Sequence, residues 1–217
     1  MHQPRLHRVD DLARKHAFMR GNPLGLLVTS GAGGLMANPL PFHLDADAGE
    51  KGALRAHVAR ANRQWREAGG EALVVFQDPG VYVTPSFYAT KSLTHEVVPT
   101  WNYVCVQARG ILRVIEDRVW LRRQLDALTA AGESTRAVPW APADAPRDFL
   151  ERMMDAIVGL EITVTSIEGK WKVSQNRNEI DRNGVIAGLR AQGDGAALRM
   201  ADLVEQETNC GKAHDVD

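Results

Sequence analysis

The chain has 217 residues, of which 44% are hydrophobic and 24% are charged, and its formal net charge is -1. This length suits one substantial core, and the composition is that of an ordinary globular protein rather than a disordered or fibrous one. Because the sequence contains no basic block, the molecule as a whole lacks the positive surface on which nucleic-acid binding depends.

The N-terminal third of the chain predicts one helix, three strands and a second, brief helix. Asp10 is expected to cap a helix over DDLARKHAFMR. The strands that follow are LGLLVTS, LMANPLPFHL and ALRAHVA. Pro39 and Pro41 place the second of these strands at a sheet edge, since proline cannot donate a hydrogen bond to a neighbouring strand. The brief helix in ARANRQWREAGG should be closed by Gly69 and Gly70.

The rest of the chain continues with strands and then turns increasingly helical. Further strands are predicted at EALVVFQ, VYVTP and WNYVCVQARGILRVI, and amphipathic helices at DRVWLRRQLDALTAAG and DAPRDFLERMMDAIVG. The segment LEITVTSIEGKWKVSQ predicts a pair of strands that turns around Glu168 and Gly169. A helix from Asp181 to Leu189 and another in ALRMADLVEQ precede a tail that we expect to be disordered.

This order of elements favours a mainly β, α+β fold. Strands come first, helices lie between and after them, and βαβ alternation is absent, so a small antiparallel barrel with peripheral helices is predicted. We expect one such domain over residues 1–190, with helical insertions, and a C-terminal helix and tail over residues 191–217.

The sequence lacks the motifs for a membrane span, a disulfide framework, a metal site and several classes of catalytic site. No apolar run could cross a bilayer and the N-terminal segment is polar, so we expect a cytoplasmic protein with no membrane partner. Cys105 and Cys210 make neither a disulfide framework nor a CxxC pair, and the histidines show no metal-binding spacing. Because the chain also has no GxSxG, P-loop or GxGxxG motif, we predict no catalytic residue and expect any chemistry to come from a bound cofactor.

The segment RAHVARANRQW joins a predicted strand to a helix. Asn62 is a good N-cap, and Arg60 and Arg63 flank it. Free N–H groups at a helix start, together with guanidinium groups, can bind a phosphate. A capped helix with solvated arginines explains the same residues, so both interpretations stay open.

The segments VYVTPSFYATK and VVPTWNY concentrate aromatic and polar side chains. Alternation places Tyr82 and Thr84 on one face of their strand. It also separates Trp101 from Asn102, which lies on the apolar face and must find a hydrogen-bond partner there. These side chains suit a flat ligand with polar edges, although tyrosines that only cap a barrel would give the same pattern.

In EGKWKVSQNR, lysines alternate with apolar residues. Strand alternation predicts that Lys170, Lys172 and Ser174 share one face, opposite Trp171 and Val173. Two ammonium groups beside a serine would suit an anion or the polar edge of a flavin. A hairpin edge protected by lysines is the alternative.

Taken in chain order, eight segments resemble the PaiB-like family of FMN-binding proteins, which are named as negative regulators of transcription: NPLGLLVT, HVARANRQW, EALVVFQ, YVTPSFY..K, VVPTWNY, APADAPRDF, AIVGLEI and GKWKVSQNR. The likeness extends from about residue 1 to residue 190. It implies a split β-barrel of the FMN-binding type, an antiparallel barrel with Greek-key-like connections. Such barrels usually form homodimers that hold FMN at the subunit interface.

The resemblance also implies which residues contact the cofactor. These are His57, Arg60 and Asn62 at the phosphate, Tyr82, Thr84 and Lys91 along the groove, Thr100, Trp101 and Asn102 near the ring, and Lys170, Trp171 and Ser174 from the neighbouring subunit. The chain departs from the family pattern at Pro39, Phe87 and Asn178, where the family typically has histidine, tryptophan and proline.

Three functions are compatible with this resemblance. The first is an FMN-binding flavoprotein that regulates transcription negatively, with DNA contact supported by the family label alone. The second is an FMN-dependent oxidoreductase, either a reductase linked to flavin or NAD(P)H or a small-molecule oxidase, since the fold does not determine the function. A haem-handling split barrel is a weaker alternative, because no histidine has an evident ligand role. The residues leave open whether the protein is an enzyme.

Overall fold

The computed structural model describes residues 1–67 and 70–214. Of the two glycines predicted to close the brief helix, Gly69 lies outside the described residues and Gly70 begins a strand. Within them the strands are β1 (Arg8–Val9), β2 (Leu24–Gly31), β3 (Gly34–Pro41), β4 (His43–Asp45), β5 (Ala53–Ala59), β6 (Gly70–Gln77), β7 (Val81–Val83), β8 (Thr100–Ile115) and β9 (Ile157–Lys172). The α-helices are α1 (Leu12–Gly21), α2 (Gln64–Glu67), α3 (Lys91–Thr94), α4 (Arg118–Glu133), α5 (Arg147–Asp155), α6 (Glu179–Gln192) and α7 (Gly195–His214).

The strands form one sheet in the order β3-β2-β6-β8-β9-β5-β4, with β1 added to β9 and β7 added to β8. The strand pairs whose register is defined are antiparallel. This arrangement confirms the predicted mainly β fold with peripheral helices. The described sheet is not closed, because its order ends at β3 and at β4. β3, the strand with Pro39 and Pro41, therefore lies at an edge, as predicted from its prolines.

The chain forms two compact units, each built from separated segments. Unit 1 comprises Met1–Asp10, Gln77–Cys105 and Gly169–Asp217, and unit 2 comprises Asp11–Phe76 and Val106–Glu168. The core of each unit is apolar: Leu27, Leu54, Val74 and Phe76 are buried in unit 2, and Val83, Val104, Trp171 and Leu189 in unit 1. The domain limits expected at residues 190 and 191 stay a prediction.

The predicted turn at Glu168 and Gly169 is wrong, because β9 continues through both residues as a single strand. Gly169 pairs with Val9 and Lys170 pairs with Arg8 of β1. This distant partner supplies backbone hydrogen bonds at the place where a hairpin would otherwise have to supply them. The consequence is that the GKWK segment is held straight as far as Lys172.

Helix ends also differ in detail from the predictions. Asp11, rather than Asp10, caps α1, since its Oδ1 accepts hydrogen bonds from the N–H groups of Ala13 and Arg14. Asn178 caps α6 by accepting from the N–H of Asp181 at 2.8 Å. The C-terminal helix α7 extends to His214, well beyond the predicted ALRMADLVEQ run. None of the described helices is both long and apolar enough to span a membrane.

Candidate functional site

The paired ends of β8 and β9 in unit 1 bring four of the predicted site residues together. Lys172 Nζ donates to Thr100 Oγ1, and Asn102 Nδ2 donates to Ser174 Oγ at 2.8 Å. These pairs join residues that are far apart in sequence, and both pairs form within one chain. We call these four residues, with Lys170 and Tyr103, the strand-end cluster. The prediction that Lys170, Trp171 and Ser174 act on a neighbouring subunit stays a prediction.

Two ammonium groups give the strand-end cluster its positive charge. Lys170 Nζ and Lys172 Nζ lie 5.3 Å and 6.0 Å from the centroid of the Tyr103 ring, within the range of cation–π attraction. The charge of the two lysines also affects the pKa of His7, whose Nδ1 is 3.1 Å from Gln175 Oε1. Burial lowers the pKa of His7 and the two lysines lower it further, against the opposing effect of Gln175. The cluster therefore favours an anion over another cation.

An exposed aromatic pair lies beside this charge on the paired strands β7 and β8. Tyr82 is directly opposite Trp101 in the register, and their rings meet edge to face at 5.9 Å. Trp101 is 55% exposed and Tyr82 46% exposed, whereas the neighbouring Val81 and Val83 are buried. The predicted alternation of Tyr82 with Val81 and Val83, and of Trp101 with Asn102, is thus confirmed. Thr84 lies beyond the end of β7, so the face that it was predicted to share with Tyr82 stays a prediction. The pair offers flat apolar surface to a ligand.

Asn102 provides a buried hydrogen-bond acceptor that lacks a donor. The residue is only 1% exposed, and within the described part of the chain its Oδ1 has no hydrogen-bond partner. Buried polar atoms are normally paired, since leaving one unpaired costs about 1–3 kcal/mol. Ser174, its partner through Nδ2, has a φ of 65° and belongs to a turn after β9. Strand alternation therefore does not extend to Ser174, which is a correction to the predicted shared face.

A cavity of about 360 Å³ lies next to the cluster in unit 1 and is lined by Met1, His2, Gln77, Tyr103, Cys105 and Lys170. Its size is within the range of small-molecule sites. Burial, with the nearby Asp78 carboxylate adding to it, raises the pKa of the Cys105 thiol, so this cysteine stays protonated at neutral pH. It is not an activated nucleophile, and at 5% exposure it belongs to the core.

The three predicted phosphate contacts lie in unit 2, and each residue already has at least one hydrogen-bond partner there. His57 Nδ1 is 2.9 Å from Gln124 Oε1. Arg60 donates to a Glu116 carboxylate oxygen at 2.6 Å and to the carbonyls of Asp155 and Ile157. Asn62 Oδ1 accepts from the N–H of Gln64 at the start of α2, as predicted for a cap. These contacts stabilise the fold locally, and a phosphate role for them stays a prediction.

The remaining predicted residues are distributed between turn and core. Thr84 Oγ1 accepts from the N–H of Ser86 and so caps the 3₁₀ turn Pro85–Phe87. Lys91 Nζ donates to Ser86 Oγ at 3.4 Å and is exposed. Trp171 is only 3% exposed and belongs to the core of unit 1, so it cannot present its ring to a ligand groove in this structure.

Two residues of the site were missed by the sequence predictions. Tyr103 is the ring beside two lysines, and this role depends on the pairing of distant strands. His7 lies near Gln175 although 168 residues separate them. The only sequence signal for this second pair is the polar end of the KWKVSQNR segment, which did not indicate a partner.

The residue types of unit 1 fit a phosphorylated flavin. The lysines match a phosphate, and the exposed aromatic pair matches a flat ring. No group of three or more histidine, cysteine or acidic side chains able to hold a metal ion is found in the part of the chain that the structure describes.

Comparisons with known proteins agree with this fit. Residues 1–166 match the sequence model of the family described as "Putative FMN-binding domain". The chain is 32% identical to the protease synthase and sporulation protein PAI 2 of Bacillus subtilis, over 95% of the chain and 98% of that protein. It is 33% identical to an uncharacterized protein of Emericella nidulans, over 93% of the chain and 95% of that protein.

Two solved structures share the fold at low sequence identity. One is the FAD and haem binding protein of Mycobacterium smegmatis, with a TM-score of 0.56 and 18% identity over 76% of this chain and 73% of the other. The second is the flavocytochrome Anf3 of Azotobacter vinelandii, with a TM-score of 0.55 and 16% identity over 84% of this chain and 78% of the other.

Proposed function

The chain belongs to the family of FMN-binding domains, with FMN as its cofactor, and from this premise we propose that it is a flavoprotein that holds FMN at the strand-end cluster and acts as a negative regulator of transcription. The single observation that carries the placement of FMN is the pair of lysine ammonium groups around the Tyr103 ring. This position differs from the phosphate site predicted at Arg60 and Asn62, whose polar groups are already engaged.

The lysines supply the charge that the phosphate of FMN requires. Lys172 is oriented by its bond to Thr100, so one hydroxyl and two ammonium groups are available to phosphate oxygens. Hydrogen bonds between charged groups of this kind contribute about 1.5–3 kcal/mol each, more than bonds between neutral groups. Riboflavin, which lacks the phosphate, should therefore bind much more weakly than FMN.

The exposed aromatic pair accounts for the ring of the ligand. Trp101 and Tyr82 offer flat surface to the ring system. When bound, FMN supplies reversible electron transfer, and the chain's own residues bind it and exclude water from it.

The regulatory part of the proposal is supported by the Bacillus relative. Its name refers to protease synthesis and sporulation, and the alignment covers 95% of this chain and 98% of that protein. Such a protein could regulate by contacting DNA or a partner protein, and the redox state of FMN would supply the signal.

A homodimer is part of the same proposal, with the cofactor at the subunit interface. Large apolar side chains of unit 1 remain exposed: Tyr82, Leu93, Val98 and Trp101. Exposed apolar surface of this kind commonly marks an interaction site. Sedimentation velocity with and without FMN tests the dimer, and a monomer under both conditions would contradict it.

An FMN-dependent oxidoreductase is the second candidate, and the charges of the C-terminal helices favour it. Arg190 of α6 is engaged by Asp202 and Glu205 of α7. Arg190 is therefore paired with carboxylates and is not available to a DNA phosphate, which a recognition helix would have to contact.

A flavin-binding experiment tests the placement of FMN. Lys172→Met should weaken FMN binding roughly 10-fold or more, since a charged hydrogen bond is lost, and should leave riboflavin binding nearly unchanged. Fluorescence titration with both ligands measures this difference. Lys51→Met is the matched control, because Lys51 pairs with Glu50 in unit 2. Equal FMN affinity in both variants would remove Lys172 from the phosphate site.

A second experiment distinguishes the two functions in the FMN-loaded protein. A regulator that contacts DNA should retard DNA from upstream of its own gene, in a salt-dependent manner, and should not retard unrelated DNA of equal length. An oxidoreductase should instead bleach its flavin absorbance on addition of NADH. The absorption spectrum of the purified protein also tests the third alternative, since a Soret band would indicate haem.

A further inference from the structure

A second cavity, of about 350 Å³, lies entirely within unit 2. Apolar side chains from α4, α5 and the segment between them form most of its wall, notably Leu125, Trp140, Phe149 and Met153. Two polar side chains, His57 from β5 and Thr129 from α4, complete the lining. A cavity of this size with mostly apolar walls and few polar groups is typical of a site for a small organic molecule.

The rim of this cavity is unusually apolar for an exposed surface. Trp140 is 49% exposed, Phe149 45% and Met153 46%. Exposure of apolar area to water is unfavourable, so a ligand that covers these three large side chains would gain free energy of binding. Because two of the three are aromatic rings, an aromatic ligand is the best match.

His57 gives the cavity one defined hydrogen-bonding group. Its Nδ1 is bonded to Gln124 Oε1, and Gln124 is only 2% exposed. With Gln124 Oε1 facing Nδ1, as in this structure, the imidazole carries its hydrogen on Nδ1 and presents Nε2 as an acceptor, and the buried Gln124 Nε2 is left without a partner. Within the described residues Nε2 has no hydrogen-bond partner. A ligand with an N–H or O–H group would supply the missing donor.

The charge of the lining also restricts the ligand. None of the side chains that line the cavity belongs to lysine, arginine, aspartate or glutamate. An anion would therefore enter an apolar cavity without a counter-charge, which is strongly unfavourable. A neutral molecule avoids this penalty.

We propose that the unit 2 cavity binds a neutral aromatic molecule that donates one N–H or O–H hydrogen bond to His57 Nε2. The site goes beyond the proposed flavin function, because it uses only residues of unit 2 and none of the strand-end cluster. It gives the protein a binding site for a small organic effector or substrate.

Indole and indene are matched probes for this proposal, since they have nearly the same shape and only indole has an N–H. Calorimetric titration of the full chain, loaded with FMN, should show indole binding roughly 5- to 10-fold more tightly than indene, as one neutral hydrogen bond implies. In His57→Ala the two affinities should become equal. Equal affinities in the native chain, or no binding of either probe, would overturn the proposal.

A filled-cavity variant tests the location independently of His57. Ala145 lines the cavity and precedes Pro146 in extended backbone, so Ala145→Phe can place a ring in the cavity without backbone strain. It should reduce indole binding at least 10-fold. Ala143→Phe is the matched control, since Ala143 is exposed two residues away and does not line the cavity. Equal indole binding by the two variants would contradict the location.

The same titrations test other occupants of the cavity. If FMN competes with indole, or if Ala145→Phe weakens FMN binding, the cavity belongs to the flavin site and the proposal fails. If Ala145→Phe instead changes the sedimentation coefficient while Ala143→Phe does not, the cavity receives a second copy of the chain, and the proposal also fails.

Discussion

Glu161 illustrates how one buried charge is accommodated in unit 2. The residue is 9% exposed, and its carboxylate accepts from Arg55 at 2.9 Å, from Arg113 at 2.7 Å and from Trp120 Nε1 at 3.4 Å. Burial alone would raise the pKa of Glu161, but the hydrogen bonds and the charges of the arginines outweigh burial and lower it. The folded protein therefore holds Glu161 ionised more strongly than the unfolded chain does.

Replacing Glu161 by Gln should lower the free energy of unfolding at pH 7 by about 1.5–3 kcal/mol, the contribution of charged hydrogen bonds. A lowered folded-state pKa stabilises the protein above the unfolded-state value of about 4.3, and this contribution is lost as the pH falls through the folded-state pKa. The difference between native and Glu161→Gln should thus shrink as the pH falls below about 4. Urea unfolding at a series of pH values measures it, and a difference independent of pH would contradict the assignment.

Substitution of Arg60 can show whether this residue stabilises the fold or contacts the cofactor. Its guanidinium joins Glu116 to two backbone carbonyls, so Arg60→Ala should lower the free energy of unfolding by about 1–2 kcal/mol while the folded variant keeps its FMN affinity. Arg123→Ala, at an exposed position on α4, is the control and should change stability by less than about 0.5 kcal/mol. A loss of FMN affinity with unchanged stability would support the phosphate contact predicted from the sequence.

At the scale of elements, α6 is positioned by a close approach to the turn Pro85–Phe87. A Cβ on Gly184 would lie 2.1 Å from the carbonyl oxygen of Phe87, and one on Gly188 would lie 2.3 Å from the Phe87 ring. α6 can approach Phe87 this closely because Gly184 and Gly188 have no side chain. Local helix propensity would disfavour both glycines, so their presence reflects tertiary packing.

Gly184→Ala should therefore destabilise the protein by about 1–3 kcal/mol, because the backbone of Phe87 cannot move aside as a flexible side chain can. Gly132→Ala in α4 is the matched control, since nothing lies within 4 Å of a Cβ there. That control should be stabilising by about 0.5–1 kcal/mol. Thermal unfolding of both variants gives the comparison, and equal effects would show that α6 does not approach Phe87 so closely.

Individual elements could be predicted where the decisive interactions were local. The strand periodicity of β2, β5, β6 and β8 and the amphipathic pattern of α4 were sufficient to place those elements. The turn predicted within β9 was wrong because the decisive interaction there is not local. Glycine after glutamate resembles a turn locally, but pairing with β1, more than 150 residues away in sequence, keeps the segment extended.

For the whole molecule, ligand binding should raise stability in proportion to affinity. FMN at 100 times its Kd should increase the free energy of unfolding by about 2.7 kcal/mol, because it binds the folded state alone. Riboflavin at the same concentration should have a much smaller effect, since the lysine pair has no phosphate to bind. Thermal shift measurements with both ligands check this, and equal shifts would show that the phosphate contributes nothing.

The sequence by itself determined the class of fold, the family and the faces of single strands. Backbone alternation is a local property, so Trp101 could be assigned to the exposed face and Asn102 to the buried face without further knowledge. Only the tertiary structure decided which side chains meet. Ser174 and Lys172 each lie 72 residues from their partners, Asn102 and Thr100, and no local pattern encodes such a pairing. For the same reason, the hydrogen bonds of Arg60 and the position of the two lysines beside Tyr103 could be seen only in the tertiary structure, where distant strands are paired.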